Sequence, residues 1–329
     1  MSQPMRTAMY ARYGPPEVLY TSTAPRPDPD SGQVLVRVVA STVNGGELAG
    51  RQGRLKIVTG RKFPRRIGID FSGEIVALGH GVTDFAVGDR VWGAVDERGD
   101  VGSAAEYVAA DVGRIAHAPS DLTLVEAVSL LSGGNTALSA LRDKVSLRPG
   151  ERVLIRGAAG GVGSVAVQVA KMLGASVTAS TSPATIDFVR ELGADHVVDY
   201  DLPPRELGAF DVVFDTRGTQ LRDYRRILAD GGRIVTIAFD LDHPVRSLGY
   251  VLLSSIHGSR RVRLFFGHPA RSLFETLTAA AEAGELRPVV DTVFPLEEIA
   301  AAHARLEAGG VRGKVIVQVA APLDGPEAA

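Results

Sequence analysis

The sequence predicts an α/β protein in two parts: a doubly wound parallel sheet and a second, mainly-β domain. Three observations carry this. The first third is a series of short β-branched segments cut by Gly and Pro. Buried strands and amphipathic helices alternate after about Ser120, and that alternation stops after about Phe266. The chain has 329 residues, enough for about two domains at roughly 150 residues each.

Taken in order, residues 25–32 (PRPDPDSG) form a turn-rich connector, and 34–40 follow as a strand dense in Val. Further strands are expected at 73–78, 90–92 and 106–108, each bounded by Gly or Asp, with no helix-length periodic segment between them. Asp121 is expected to cap a helix carrying Leu124, Ala127, Val128 and Leu131, and a second helix to start at 136–141. A strand at 153–155 leads into a helix at 162–173 with Val165, Ala166, Val169, Ala170 and Leu173 facing inward. Next come a strand at 176–179, a helix at 183–192, and strands at 197–198 and 211–214. A helix face of Leu221, Tyr224, Ile227 and Leu228 is expected to end at Gly231-Gly232. Strands at 234–237 and 262–265 bring the count to about six. Repeated βα units of this kind imply a Rossmann-type domain.

What remains is a helix at 273–283, a strand at 289–294, a helix at 296–306 and a strand at 314–319. That is too little for a domain of its own and is expected to fold back onto the N-terminal β part. The expected domains are therefore 1–122 with 266–329, and 123–265.

Composition excludes several functions. With 36 basic and 38 acidic residues the formal charge is −2, without the basic excess of a nucleic-acid binder. The chain has no Cys, which removes disulfides, thiolate nucleophiles and every Cys-containing zinc site. No Gly-x-Ser-x-Gly elbow supports a hydrolase of that type. Residues 1–10 lack the apolar stretch of a signal peptide, and no run of 18 apolar residues occurs. A cytoplasmic protein with no membrane or nucleic-acid partner is expected.

The sharpest motif is RVLIRGAAGGVGS at 152–164, a buried strand running through a Gly-rich turn into a helix. Free N–H groups at such a helix start attract an anion, and missing Cβ atoms let a pyrophosphate approach. Read as G-x-G-x-x-G, Ala158 holds the first position and Gly160 and Gly163 the others, with Gly161 and Val162 between them. The same residues also suit a tight turn and close helix–sheet packing with no ligand. An NAD site places Asp or Glu about 20 residues on, to hold the ribose 2′-hydroxyl. Here the next strand ends in Ser180, Thr181, Ser182 and Pro183, and the first acid is Asp187. Ser182 as N-cap with Pro183 at the first helical position makes a helix N-terminus suited to a 2′-phosphate. NADPH is favoured over NADH, although no Lys or Arg stands in this turn.

Beside the turn at 157–163 the chain carries GIDFSG at 68–73, VGDRVWG at 87–93 and AEYV at 105–108. It continues with LGADHVVDY at 192–200, GGRIV at 231–235, FPLEE at 294–298 and GKV at 313–315. Jointly these segments carry a resemblance to the medium-chain dehydrogenase/reductase superfamily, on its zinc-independent quinone oxidoreductase and enoyl reductase side. It implies a GroES-like N-terminal domain completed by the C-terminal tail, with the active site in the cleft between domains. It also implies that Tyr200 contacts the adenosine phosphate end, that Thr136 lies near the nicotinamide as a candidate for both catalysis and cofactor binding, and that Lys314 belongs to the cofactor set. Asn44 matches the Asn of an Asn-Pro-x-Asp segment lining the substrate site; an ordinary turn residue ahead of Gly45-Gly46 is the equal alternative.

Zinc enzymes of this superfamily carry a catalytic Cys, a His-Glu pair and usually a four-Cys lobe. Here Ile69-Asp70 replaces His-Glu, and the seven His show no ligand spacing. No metal is expected. Without a Lewis acid, already electrophilic quinones and α,β-unsaturated carbonyls suit hydride transfer better than alcohols do. Several relatives place a Tyr shortly after the Asn segment, but residues 51–56 (RQGRLK) have none. Lys56 is then a candidate proton donor or enolate stabiliser, set against the commoner reading of a solvated surface Lys; water is the third choice. The basic run of Arg61, Lys62, Arg65 and Arg66 reads as a solvated loop or as a site for an anionic substrate. A carbonyl or imine reductase and a non-catalytic NADPH-binding protein are the alternative functions. The apolar segment 254–266, at the expected sheet edge, points to a homodimer.

Overall fold

The computed structural model describes residues 3–56, 60, 62–96, 101–256, 260–265 and 267–321. Arg61, His257 and Phe266 lie outside the described residues. The chain divides into two compact units, Met1–Ser132 with Pro269–Ala329, and Gly133–His268.

The first unit opens with β1 (Pro4–Tyr10) and β2 (Leu19–Pro25), paired antiparallel. Strand β3 (Gln33–Thr42) is almost continuously buried and leads into α1 (Gly45–Arg51). The short β4 (Arg65–Arg66) pairs with β1. Then come β5 (Asp70–Leu78), β6 (Arg90–Ala94), β7 (Tyr107–Asp111) and β8 (Ile115–His117). Helix α1 departs from the sequence expectation of uninterrupted strands. Gly45 and Gly46 are poor helix formers, so it is held from outside its own propensity. The Glu47 carboxylate accepts from the Asn44 backbone N–H at 2.9 Å. The fully buried Arg51 donates to Gly14 O and ion-pairs with Glu307.

Helix α2 (Leu124–Leu138) is capped by Thr123, not Asp121. Glu126 N donates to Thr123 Oγ1 at 3.2 Å and Thr123 N to Glu126 Oε2 at 2.9 Å, a reciprocal box that Asp121 is too early to form. No second helix starts at Thr136, because α2 runs on through a π-helical turn at Ser139–Lys144.

The second unit holds β9 (Arg152–Arg156), α3 (Gly163–Met172), β10 (Ser176–Thr181), α4 (Ile186–Glu191) and β11 (His196–Asp199). They are followed by β12 (Phe210–Asp215), α5 (Leu221–Arg226), β13 (Leu228–Thr236), α6 (Pro244–Ile256) and β14 (Val262–Leu264). The six strands are parallel in the order β11-β10-β9-β12-β13-β14, the doubly wound order that reverses between β9 and β12. Leu154, Val213, Leu221, Tyr224, Ile234 and Val262 belong to its core. Gly231-Gly232 does not end α5. That helix stops at Arg226, and both glycines lie within β13, whose pairing with β12 shifts register there.

The chain returns to the first unit with α7 (Arg271–Glu282), β15 (Val290–Pro295), α8 (Ile299–Glu307) and β16 (Lys314–Gln318). Strand β16 pairs antiparallel with β3, and the main sheet reads β15-β16-β3-β5-β6-β8 with β7 also on β3. Val34, Val36 and Val38 of β3 share a core with Phe71, Val315 and Val317. Segments nearly three hundred residues apart therefore build one sheet.

Candidate active site

In the second unit the Gly-rich turn sits at the carboxyl end of β9, beside the point where strand order reverses. Open α/β sheets bind ligands there. Gly157 has φ +74°, and a Cβ on Gly163 would lie 2.1 Å from Gly157 O, so both positions require glycine. A Cβ on Gly160 would meet nothing nearer than Gly157 O at 3.6 Å, which marks the open face of the turn. The N–H groups of Gly157 and Ala158 donate to Ser180 O, both at 3.1 Å, and Gly160 N donates to Gly157 O at 3.2 Å. Among the described residues none accepts from Gly161 N or Val162 N. Those two donors, ahead of α3, fit a pyrophosphate.

The neighbouring strand end supplies hydroxyls. Tyr200 N donates to Thr181 O at 2.9 Å, bringing the exposed Tyr200 to the end of β10. Thr181 Oγ1 and Thr185 Oγ1 are 2.6 Å apart, and Ser182 Oγ is 3.0 Å from Thr185 Oγ1. Ser182 therefore does not cap a full helix through its side chain. The segment opens as a 3₁₀ turn (Pro183–Thr185), with the α-helix starting only at Ile186. Asp187 is paired with Arg190 at 2.5 Å. Thr136 is half-buried on α2. Three residues earlier, a Cβ on Gly133 would stand 2.6 Å from Gly161 O, so this helix lies directly against the Gly-rich turn.

One feature of this end escapes sequence pattern. Arg156, the last residue of β9, ion-pairs with the fully buried Asp215 and donates to Thr219 O at 2.8 Å. Its guanidinium stacks 3.8 Å over Tyr224. Asp215 also accepts from Gly218 N and Thr236 Oγ1, both at 2.8 Å. The pair ties β9, β12 and β13 together beneath the turn.

The first unit holds a buried polar cluster. Asp70, Thr42 and Lys314 are nearly inaccessible, while Asn44, Glu47 and Ser132 are half-buried. Thr42 Oγ1 donates to Asp70 Oδ2 at 2.6 Å. Asn44 Nδ2 donates to Asp70 Oδ2 at 3.2 Å and to Glu47 Oε2 at 3.0 Å. Its Oδ1 accepts from Lys314 Nζ and, at 3.0 Å, from Ser132 Oγ. Lys314 Nζ also donates to Ser132 Oγ at 2.8 Å and stands 3.9 Å from Asp70 Oδ2. Burial and the neighbouring Asp70 push Glu47 up to about 7, against the Gly68 N–H that its carboxylate accepts. Burial lowers Lys314 from its ordinary value, while Asp70 and Glu47 pull it back up.

The structure thus brings Asn44 and Lys314 together, and separately Ala158, Gly160–Gly163, Ser180, Thr181, Ser182 and Tyr200. Lys56 is exposed and bonds through its side chain to none of them among the described residues. Asp70, Glu47 and Ser132 were not found as site residues from sequence, because nothing in their local pattern announces that β5, α1 and α2 converge.

Among the described residues no three of His, Asp and Glu are grouped to hold a zinc ion, and Asp70 is engaged by Thr42 and Asn44. A nicotinamide dinucleotide does fit: the open turn, the two unspent donors and the hydroxyl-lined strand end match its pyrophosphate and adenosine ribose.

Fold and site together define a nucleotide-dependent oxidoreductase. Residues 30–120 match the alcohol dehydrogenase GroES-like domain and residues 192–317 the zinc-binding dehydrogenase family. The chain is 31% identical to a 2-methylene-furan-3-one reductase from Solanum lycopersicum, covering 95% of this chain and 79% of that protein. It is also 31% identical, with the same coverage, to a chloroplastic NADPH-dependent alkenal/one oxidoreductase from Arabidopsis thaliana. The solved quinone oxidoreductase from Coxiella burnetii superposes with a TM-score of 0.85 at 29% identity, over 97% of this chain and all of the other. The chain belongs to the medium-chain dehydrogenase/reductase superfamily, in the branch of quinone oxidoreductases and enoyl reductases.

Proposed function

We propose that this protein is an NADPH-dependent reductase that works without a metal and passes hydride to a quinone or an α,β-unsaturated carbonyl. The observation that carries the reading is the donor set of the first unit. Lys314 and Ser132, oriented by the accepting Asn44 Oδ1, offer hydrogen bonds suited to a nascent enolate or phenolate, where an alcohol dehydrogenase would need a Lewis acid. The substrates named for the relatives point the same way. When bound, the dinucleotide supplies the hydride. Gly161 and Val162 hold its pyrophosphate through backbone N–H groups. Ser180, Thr181 and Ser182 receive the adenosine ribose, Tyr200 lies against the adenosine phosphate end, and Thr136 lies near the nicotinamide. No acid stands at the end of β10 to claim a ribose 2′-hydroxyl, which supports NADPH over NADH. We further propose a cytoplasmic homodimer with no nucleic-acid or membrane partner.

The test is oxidation of NADPH and NADH, in parallel, with quinones, enones, enoyl-CoAs and simple ketones, before and after EDTA. Turnover of quinones or enones, faster with NADPH and unchanged by EDTA, is expected. Activity confined to ketones, or lost to EDTA, overturns the reading.

A further inference from the structure

The carbon–carbon reduction just proposed needs a proton as well as a hydride. The Tyr that serves several relatives is absent from residues 51–56, and Lys56 is exposed and unconnected to the cluster. The geometry instead points to Ser132 and Lys314: we propose that Ser132 Oγ gives its proton to the substrate carbon and that Lys314 Nζ reloads it. This rests on the enone reading above.

Three observations support the assignment. Lys314 Nζ, Ser132 Oγ and Asn44 Oδ1 form a closed triangle of hydrogen bonds. Ser132 accepts from the ammonium at 2.8 Å and passes its own proton toward Asn44 Oδ1 at 3.0 Å. The triangle is graded in accessibility: Lys314 is buried to 4% exposure, while Ser132 and Asn44 are only half-buried. Of the two proton carriers, Ser132 is therefore the more accessible residue. Finally, Asn44 Nδ2 is already committed to Glu47, Asp70 and Thr42, so the carboxamide is fixed with its oxygen toward the ammonium. It orients Ser132 and does not compete as a donor.

The step balances. The hydride would come from the bound dinucleotide, whose C–H bond breaks as it is oxidised by two electrons; a new C–H bond forms at the β-carbon, and the π-electron pair moves onto the carbonyl oxygen as an enolate. As the enolate collapses to the ketone, the Ser132 O–H bond breaks and a C–H bond forms at the α-carbon. Lys314 transfers one N–H proton to the serine oxygen and regains it from water. The substrate gains one hydride and one proton. The charged groups facing Lys314 are Asp70 on β5 and Glu47 on α1, both of which favour the ammonium; burial works against it and readies the proton for transfer.

The experiment uses the full-length protein with NADPH and a 2-methyl-substituted cyclic enone, scored for kcat, KM, pH profile and the epimer ratio at the new α-centre. Wild type is expected to give one epimer, with kcat falling as alkaline pH deprotonates Lys314. Ser132→Ala is expected to lose about 10²-fold in kcat, the ordinary worth of a positioned acid, with KM little changed. Its product should be a mixture of epimers, because water then protonates both faces. Lys314→Arg keeps the charge but cannot give up a proton, and is expected to lose kcat and the alkaline limb together. A Ser132→Ala enzyme that keeps kcat within a few-fold and delivers a single epimer overturns the relay alone. A wild type that reduces quinones but no enone overturns the relay, and one that oxidises NADPH with neither overturns the functional reading and the relay with it.

Discussion

Glu47 shows how one side chain can link site and stability. Its carboxylate accepts from Gly68 N at 2.7 Å and Asn44 N at 2.9 Å, yet burial beside Asp70 raises it from 4.5 to about 7. A raised carboxylate binds its proton more tightly folded than unfolded, so its contribution is complete below about pH 4.5 and is lost as pH rises through 7. The shift bounds that contribution at roughly 3 kcal/mol. His303 titrates in the opposite sense. Burial, and secondarily Arg51, hold it down to about 3, so its contribution is present above its ordinary pKa and lost as pH falls from 6.5 toward 3. Glu47→Gln is therefore expected to flatten the stability profile between pH 4.5 and 7, as read by urea unfolding at stepped pH. An unchanged slope there would show that the proton is not held at Glu47. None of this was readable in the sequence. Asn44 was singled out there, but its partners Asp70, Ser132 and Lys314 lie 26, 88 and 270 positions away.

At the scale of elements, the sequence and the structure agree where local chemistry decides. The β-branched stretch of β3 and the Gly-rich turn between β9 and α3 carry their geometry in their own residues. They part where tertiary contacts decide: α1 forms over two glycines because Glu47 and Arg51 anchor it, and Gly231-Gly232 continues a strand that local pattern would break. The β9–α3 turn makes a direct prediction. Gly163→Ala would drive a Cβ to within 2.1 Å of Gly157 O, a backbone atom that cannot swing aside. The turn must open, and NADPH affinity is expected to fall by at least about tenfold, since misplaced N–H donors forfeit more than a kcal/mol. A direct titration by calorimetry reads the loss. Unchanged affinity would mean that the cofactor does not use this turn.

For the whole molecule, β14 is the end strand of the six-stranded sheet, and among the described residues it pairs with β13 alone. An unpaired edge invites a second copy, and sedimentation at micromolar concentration is expected to give about twice the 34.7 kDa chain mass. A mass of one chain would refute the dimer. The closure of the first unit by β16 has a further meaning on the ribosome. Every residue of the second unit leaves the exit tunnel before residue 314 does, so β3 must wait with an open flank while its neighbour folds. Lys314 comes with the strand that fills that flank. A nascent chain long enough to present the complete nucleotide turn therefore still lacks its buried ammonium, and the proposed proton supply comes into being only once β16 has been made.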